Sequence, residues 1–125
     1  MNEQFVKLIS ILIATSNQTQ VWHRQTTGPG SFAEHNTLGE YYLEILENID
    51  SLTESYQGKY QIIKGYTSYL IADYISRDEV IKYFQRVTNN ITELRKDITD
   101  SYIQNQIDSV EELIYGTLYK LKYLS

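Results

Sequence analysis

The chain has no cysteine among its 125 residues. Disulfides, thiolate metal sites and cysteine nucleophiles are therefore excluded. It has a single proline, Pro29, so few positions force a break in regular structure. It lacks any Lys/Arg cluster or basic tail, and its formal net charge is −5. That argues against nucleic-acid binding through phosphate contacts, and no DNA partner is expected. Long apolar runs are missing as well. The stretch from Leu8 to Ala14 is too short to span a bilayer, and no basic segment precedes it. The expectation is a soluble, cytoplasmic protein with no membrane contact. There is no nucleophile triad, and Gly28-Pro29-Gly30 lacks the Gly-Lys-Ser/Thr end of a phosphate loop.

What is present is helical pattern. Apolar residues make up 42% of the chain, enough for the core of one domain, taken as residues 1–125. The period is near 3.6 almost throughout, which predicts an all-α fold. A first helix is expected from about Asn2 to Gln25, with the stripe Phe5, Leu8, Ile9, Leu12, Ser16, Thr19 and His23. A core stripe that turns polar toward its end suggests a site. After the break at residues 26–30, Ser31 and Glu34 have the spacing of a capping box. The second helix is expected from Phe32 to about Tyr56, with Gly58 as its stop. Its main stripe is His35, Leu38, Tyr42, Ile45, Ile49, Leu52 and Tyr56. Leu43, Leu46, Asp50 and Glu54 form a second stripe beside it. A helix with two such faces is expected to meet both a core and a subunit interface.

Residues 58–75 form a tyrosine-rich crossover long enough to run from one end of a bundle to the other, and Thr67–Ile75 could form a short helix in it. Ser76 and Glu79 make a second capping box. The third helix follows with Val80, Phe84, Val87, Ile91, Leu94 and Ile98. The fourth carries Ile103, Ile107, Val110, Ile114, Leu118 and Leu121, with Gly116 as a candidate close-packing position. The expected fold is a ferritin-like four-helix bundle, with a long crossover carrying a short helix between its second and third helices.

Four residues carry the candidate chemistry: His23, His35, Asp50 and Glu54. The first two are the only histidines. Asp50 and Glu54 are one turn apart and share a helix face. His23 and His35 flank the break and would face each other across a helical hairpin. His35 and Asp50 lie about 22 Å apart along one helix, at 1.5 Å per residue. One chain cannot easily close a site with all four. Two chains about a twofold axis could, the histidine end of one meeting the carboxylate end of the other. Imidazole with carboxylate suits iron(II), and also zinc, copper or manganese. The absence of a Glu-x-x-His element counts against an ordinary di-iron bundle.

The stretch from His23 to His35, HRQTTGPGSFAEH, together with Asp50-Ser51-Leu52-Thr53-Glu54, resembles the signature of the Dps family, the mini-ferritins of starved cells. The separations of twelve, fifteen and four residues match that pattern. The resemblance covers roughly residues 20–57. It implies a hollow homo-oligomer, usually of twelve subunits. His23 and His35 of one subunit and Asp50 and Glu54 of its twofold partner would then form a ferroxidase site. Iron(II) would be oxidised there by hydrogen peroxide or oxygen and stored as mineral, which limits oxidative stress. It further suggests Asp97, Asp100 and Asp108 as lining of a cation-entry pore, although Asp100 also suits a helix cap. The chain departs from the pattern in two places. Trp22 precedes the first histidine where the family usually has a tryptophan after it. Gly39 stands where a further carboxylate often lies, which puts a second iron position in doubt. Two other readings remain open: a non-catalytic helical shell or interaction protein with a degenerate metal site, and a small dimeric bundle with a structural zinc at the same four ligands.

Overall fold

In the computed structural model, described for residues 2–125 and for side chains from residue 3 onward, the apolar stripes become four helices. These are α1 (Asn2–Gln25), α2 (Ser31–Lys59), α3 (Arg77–Leu94) and α4 (Ser101–Tyr123). No strand occurs among the described residues. No helix among them is long and apolar enough to cross a membrane.

Each helix packs against two others, α1 and α4 each touching both α2 and α3. Fully buried Phe5, Leu8, Leu12, Leu38, Ile45, Phe84, Ile91 and Ile107 fill the space between them. Each such side chain contributes roughly 1.5–3 kcal/mol relative to exposure. The polar run on α1 is absorbed inside this core. Thr15 and Thr19 donate to carbonyls one turn back, at 2.7 Å each, and the Thr15 hydroxyl also meets the Tyr41 hydroxyl at 2.8 Å. The two threonines are thus satisfied within the bundle, and along that run only the buried Ser16 hydroxyl has no partner. On α2 Tyr41 is buried in place of Tyr42, which is half-buried beside it, so the core face is rotated slightly there from the expected stripe.

The helix ends show which local signals act. Ser76 caps α3, its Oγ accepting from the Glu79 N–H at 3.2 Å, as its spacing predicts. The box expected at Ser31 does not form. Gly30 is the cap of α2, in the left-handed region at φ 77°, with no side-chain cap bond. Glu34 turns inward instead, for a reason given below. Gly58 is no stop either: α2 continues through Lys59, and the Tyr60 N–H closes onto the Tyr56 carbonyl at 2.9 Å. Gly116 has open space where a Cβ would be, so close packing does not explain it.

The crossover differs from expectation in kind. Residues 61–76 form neither helix nor strand, so the short helix at Thr67–Ile75 does not form. Side chains of α1 take the place of helical hydrogen bonds. The Gln18 amide donates to the Ala72 carbonyl and accepts from the Ala72 N–H, both at 2.8 Å. Gln25 accepts from the Tyr74 N–H at 2.7 Å, and Ser10 accepts from the Thr67 N–H at 3.0 Å. Gln18 and Gln25, two turns apart on one face, act as a substitute strand for this strap. It climbs alongside α1, so α3 starts at the end where α1 finishes. Helices α2 and α3 thus run parallel, and both oppose α1 and α4.

Candidate functional site

Both histidines lie at the α1–α2 hairpin, where the Thr26-Thr27-Gly28-Pro29-Gly30 break turns the chain back on itself. His23 is in the last turn of α1 and His35 in the first turns of α2. The turn brings the two rings into a stack, with centroids 3.7 Å apart and planes 16° from parallel. Two reciprocal hydrogen bonds fix them. His23 Nδ1 meets the His35 carbonyl at 2.6 Å, and His35 Nδ1 meets the His23 carbonyl at 2.6 Å. A carbonyl can only accept, so each Nδ1 carries the proton. In a neutral ring that leaves the lone pair on Nε2. The backbone here does what outer-sphere carboxylates do for many metal-binding histidines, fixing ring orientation and tautomer. His23 O also lies in the last turn of α1, where a carbonyl has no helical partner of its own.

Gly39 is part of this arrangement. A Cβ at that position would lie 2.8 Å from His23 Cε1 and 3.0 Å from its Nδ1. The bare Cα is what lets the His23 ring lie against α2. Tyr42, one turn further on, meets the same ring edge-on at 5.5 Å. The sequence treats Gly39 as a missing carboxylate, whereas in the fold it is a space that His23 fills. Its legible signal is an isolated glycine inside a strong helical pattern, one turn from His35.

Behind the histidines the hairpin end is closed by Glu34. Only 4% of this residue is exposed. Its Oε1 accepts from the Tyr74 hydroxyl at 2.9 Å and lies 3.5 Å from Arg77 Nε, while Arg77 also donates to the Gly30 carbonyl at 3.1 Å. Glu34 Oε2 has no partner. This cluster ties α2, the strap and the start of α3 together, which is why Glu34 is not free to cap its own helix. Burial, and then the bond to Glu34, push the Tyr74 phenol up to about 12. Trp22 faces the core, edge-on to Tyr83 at 5.0 Å. It packs there and stands apart from the stacked rings.

Asp50 and Glu54 lie elsewhere. Both are exposed on the outer face of α2, and neither enters an ion pair among the described residues. Among those residues, no three His, Asp or Glu side chains gather within one chain as a metal site would need. The fold therefore unites the histidines and leaves the carboxylates about four to five helical turns from His35 along α2. Between the two ends, the same face of α2 carries exposed Leu43 and Leu46. Of the three aspartates suggested for a pore, two are engaged. Asp100 takes Lys59 Nζ at 2.9 Å and the Tyr60 hydroxyl at 2.6 Å, bonds that lower its carboxyl below the usual range. Its side chain makes no cap bond to α4. Asp108 pairs with Arg95 at 2.7 Å. Asp97 is exposed.

Residues 23–121 match the sequence profile of DUF5856, a family of unknown function. The chain belongs to this family. All four candidate ligands fall inside the DUF5856 match, which begins at His23 itself. Comparison with curated proteins gives no match, and comparison with solved structures gives none either.

Proposed function

We propose that this DUF5856 member is a Dps-like iron(II)-oxidising and iron-storing protein whose sites are shared between twofold-related copies of the chain. The observation that carries the reading is the locked histidine pair. Two imidazoles held by reciprocal Nδ1 bonds keep both Nε2 atoms available, a costly arrangement to maintain without a use for them. The donor set fits iron(II) as substrate: two neutral nitrogens position the ion, and two anionic oxygens favour the ferric product. Those oxygens are the free carboxylates of Asp50 and Glu54.

The outer face of α2 supplies a way for the two halves to meet. When two copies of α2 pair antiparallel, His35 of one meets Asp50 or Glu54 of the other if the axis falls near Leu43. Exposed Leu43 and Leu46 sit at that place and provide an apolar centre for the contact. The helix order with its end-to-end strap is compatible with ferritin-like connectivity and a dodecameric cage. At the shared site iron(II) gives up an electron, and hydrogen peroxide, or oxygen, is reduced to water by electrons from successive iron(II) ions. The histidines hold the ion, the carboxylates offset the charge of the ferric product, and the interface limits access of bulk water.

The space that His23 takes beside Gly39 leaves no room for a carboxylate there, which favours one metal position per shared site over two. A structural zinc in a small dimer rests on the same observation. Iron(II) oxidation by hydrogen peroxide separates the readings, followed as ferric absorbance for the wild type beside Asp50→Ala, with assembly size measured by light scattering. The expected result is fast oxidation that Asp50→Ala slows at least tenfold without changing assembly. Oxidation no faster than buffer from an assembled wild type rejects the ferroxidase reading. Tight zinc binding by a dimer supports the structural-metal alternative.

A further inference from the structure

Between α1, α3 and the strap lies a cavity of about 850 Å³, in the size range of small-molecule sites. None of the four candidate metal ligands lines it, and it has no part in the proposed iron chemistry. It exists because the strap is not helical. The glutamine and serine bonds from α1 hold its backbone at a distance, so it bridges the α1–α3 groove without filling it.

The lining is ordered along the groove. Ile11 and Ala14 of α1 and Val87 and Leu94 of α3 give apolar walls, and Tyr66 and Tyr69 of the strap close the outer side. From Lys7 to Gln18 the groove is about 16 Å long, at 1.5 Å per residue. Three charged side chains border it: Lys7, Arg86 and Glu93. Because α1 and α3 are antiparallel, Lys7 near the start of α1 and Glu93 near the end of α3 lie at the same end, where Glu93 pairs with Lys96 at 3.0 Å. Arg86 stands alone toward the other end and enters no ion pair among the described residues. Tyr83, one turn before it, faces the same groove. Burial raises the Tyr83 phenol to about 12, so its hydroxyl remains a donor at neutral pH. One end thus offers a cation and a hydroxyl donor to an anion, and the rest offers an apolar channel with an aromatic wall.

We propose that this cavity binds an amphipathic monoanion, a medium-chain fatty acid being the simplest case, with its carboxylate at Arg86 and Tyr83 and its apolar body along Ile11, Ala14, Val87 and Leu94. In a chain of net charge −5, an unpaired arginine at a partly enclosed apolar slot selects anions against the general field of the protein. Arginine also suits a carboxylate better than lysine, through its paired N–H donors.

The test is a fluorescence titration of the full chain with a dansyl-labelled fatty acid, competed by laurate and by dodecanol. Saturable binding of one probe per chain is expected, displaced by laurate at least tenfold more effectively than by dodecanol. Arg86→Ala should remove most of that preference for the acid, and Lys7→Ala should leave it. Ala14→Phe, which fills the groove, should abolish binding with helicity unchanged. Asn90→Trp, on the exposed side of the lining, gives the same reading should Ala14→Phe not fold. Binding that survives both filling variants, or equal competition by acid and alcohol, overturns the assignment, as does no saturable binding by the wild type.

Discussion

The outward face of α2 is built differently at its two ends. At the hairpin end, His23 and His35 are held by each other's carbonyls, by the stack, and by the space at Gly39. About four to five turns from His35, Asp50 and Glu54 project exposed from the helix, in no ion pair among the described residues. One half of the proposed site is pre-organised within a chain and the other is not. The difference matches what each half would have to do. A fixed tautomer and ring orientation present one chosen nitrogen of each imidazole to a metal, whereas carboxylates offer oxygen in any rotamer and would be ordered by the metal and the partner surface. On the proposed reading, a site divided in this way would be complete only in the assembly.

The largest expected effect comes from removing the contact that would join the two ends. Leu43→Glu places a charge, and its twofold copy, at the centre of the α2 pairing. Leu43 is exposed in the single chain, so the change should alter folding stability by no more than about 0.5 kcal/mol. Assembly should nevertheless fall to monomers by light scattering, and iron oxidation should fall to background. An assembled, active Leu43→Glu protein would place the interface elsewhere and remove the shared site.

Complementation sharpens the same comparison. His23→Ala/His35→Ala and Asp50→Ala/Glu54→Ala are each expected to be inactive alone. Unfolded together and reassembled, they should recover oxidation, because a mixed pair carries one site with both intact halves. Random pairing gives about a quarter of the wild-type sites. No recovery from properly mixed assemblies would mean that the four residues do not meet across a twofold axis.

The extent to which these features are legible in the sequence depends on whether they are local. The four helices, the Ser76 cap and the α4 stripe follow from period and spacing, which act within a few residues. The strap does not: whether residues 61–76 form a helix is decided by Gln18 and Gln25, which lie about fifty positions earlier. Glu34 fits a capping pattern by spacing, yet the distant Tyr74 and Arg77 claim its carboxylate. The facing histidines were legible because a helical hairpin is itself a local object. Their locking bonds were not, since they depend on the angle of the turn, and Gly39 could be noticed but not interpreted without the ring that fills its place.

Gly39→Ala probes that locked end. In a helix, this exchange alone would stabilise by about 1 kcal/mol. Here the new Cβ would lie 2.8 Å from His23 Cε1, and moving the ring breaks its stack and its Nδ1 bond. Such overpacking typically costs about 1–3 kcal/mol. A net loss near 1 kcal/mol in urea unfolding is expected, with roughly tenfold slower iron oxidation. A more stable protein with unchanged oxidation would show that the ring is not held there. Asp50→Asn, at the loose end, should do the opposite, leaving stability unchanged while slowing oxidation.

The smallest effect concerns the cluster behind the histidines. The Tyr74 phenol must keep its proton to donate to Glu34, and its folded pKa is raised from 10 to about 12, by burial first and by Glu34 second. A raised pKa means that the folded state holds the proton more tightly. The stability this gives is fully present below pH 10 and is lost as pH climbs toward about 12. Tyr83, raised to about 12 by burial, adds to the same alkaline weakening. Tyr74→Phe should therefore cost about 0.5–1.5 kcal/mol at neutral pH through the lost hydrogen bond. It should also make the fall in stability above pH 10 shallower than in the wild type. Urea unfolding at neutral pH and at steps up to pH 12 measures both. Equal slopes in the two proteins would show that the Tyr74 phenol is not what weakens the fold above pH 10.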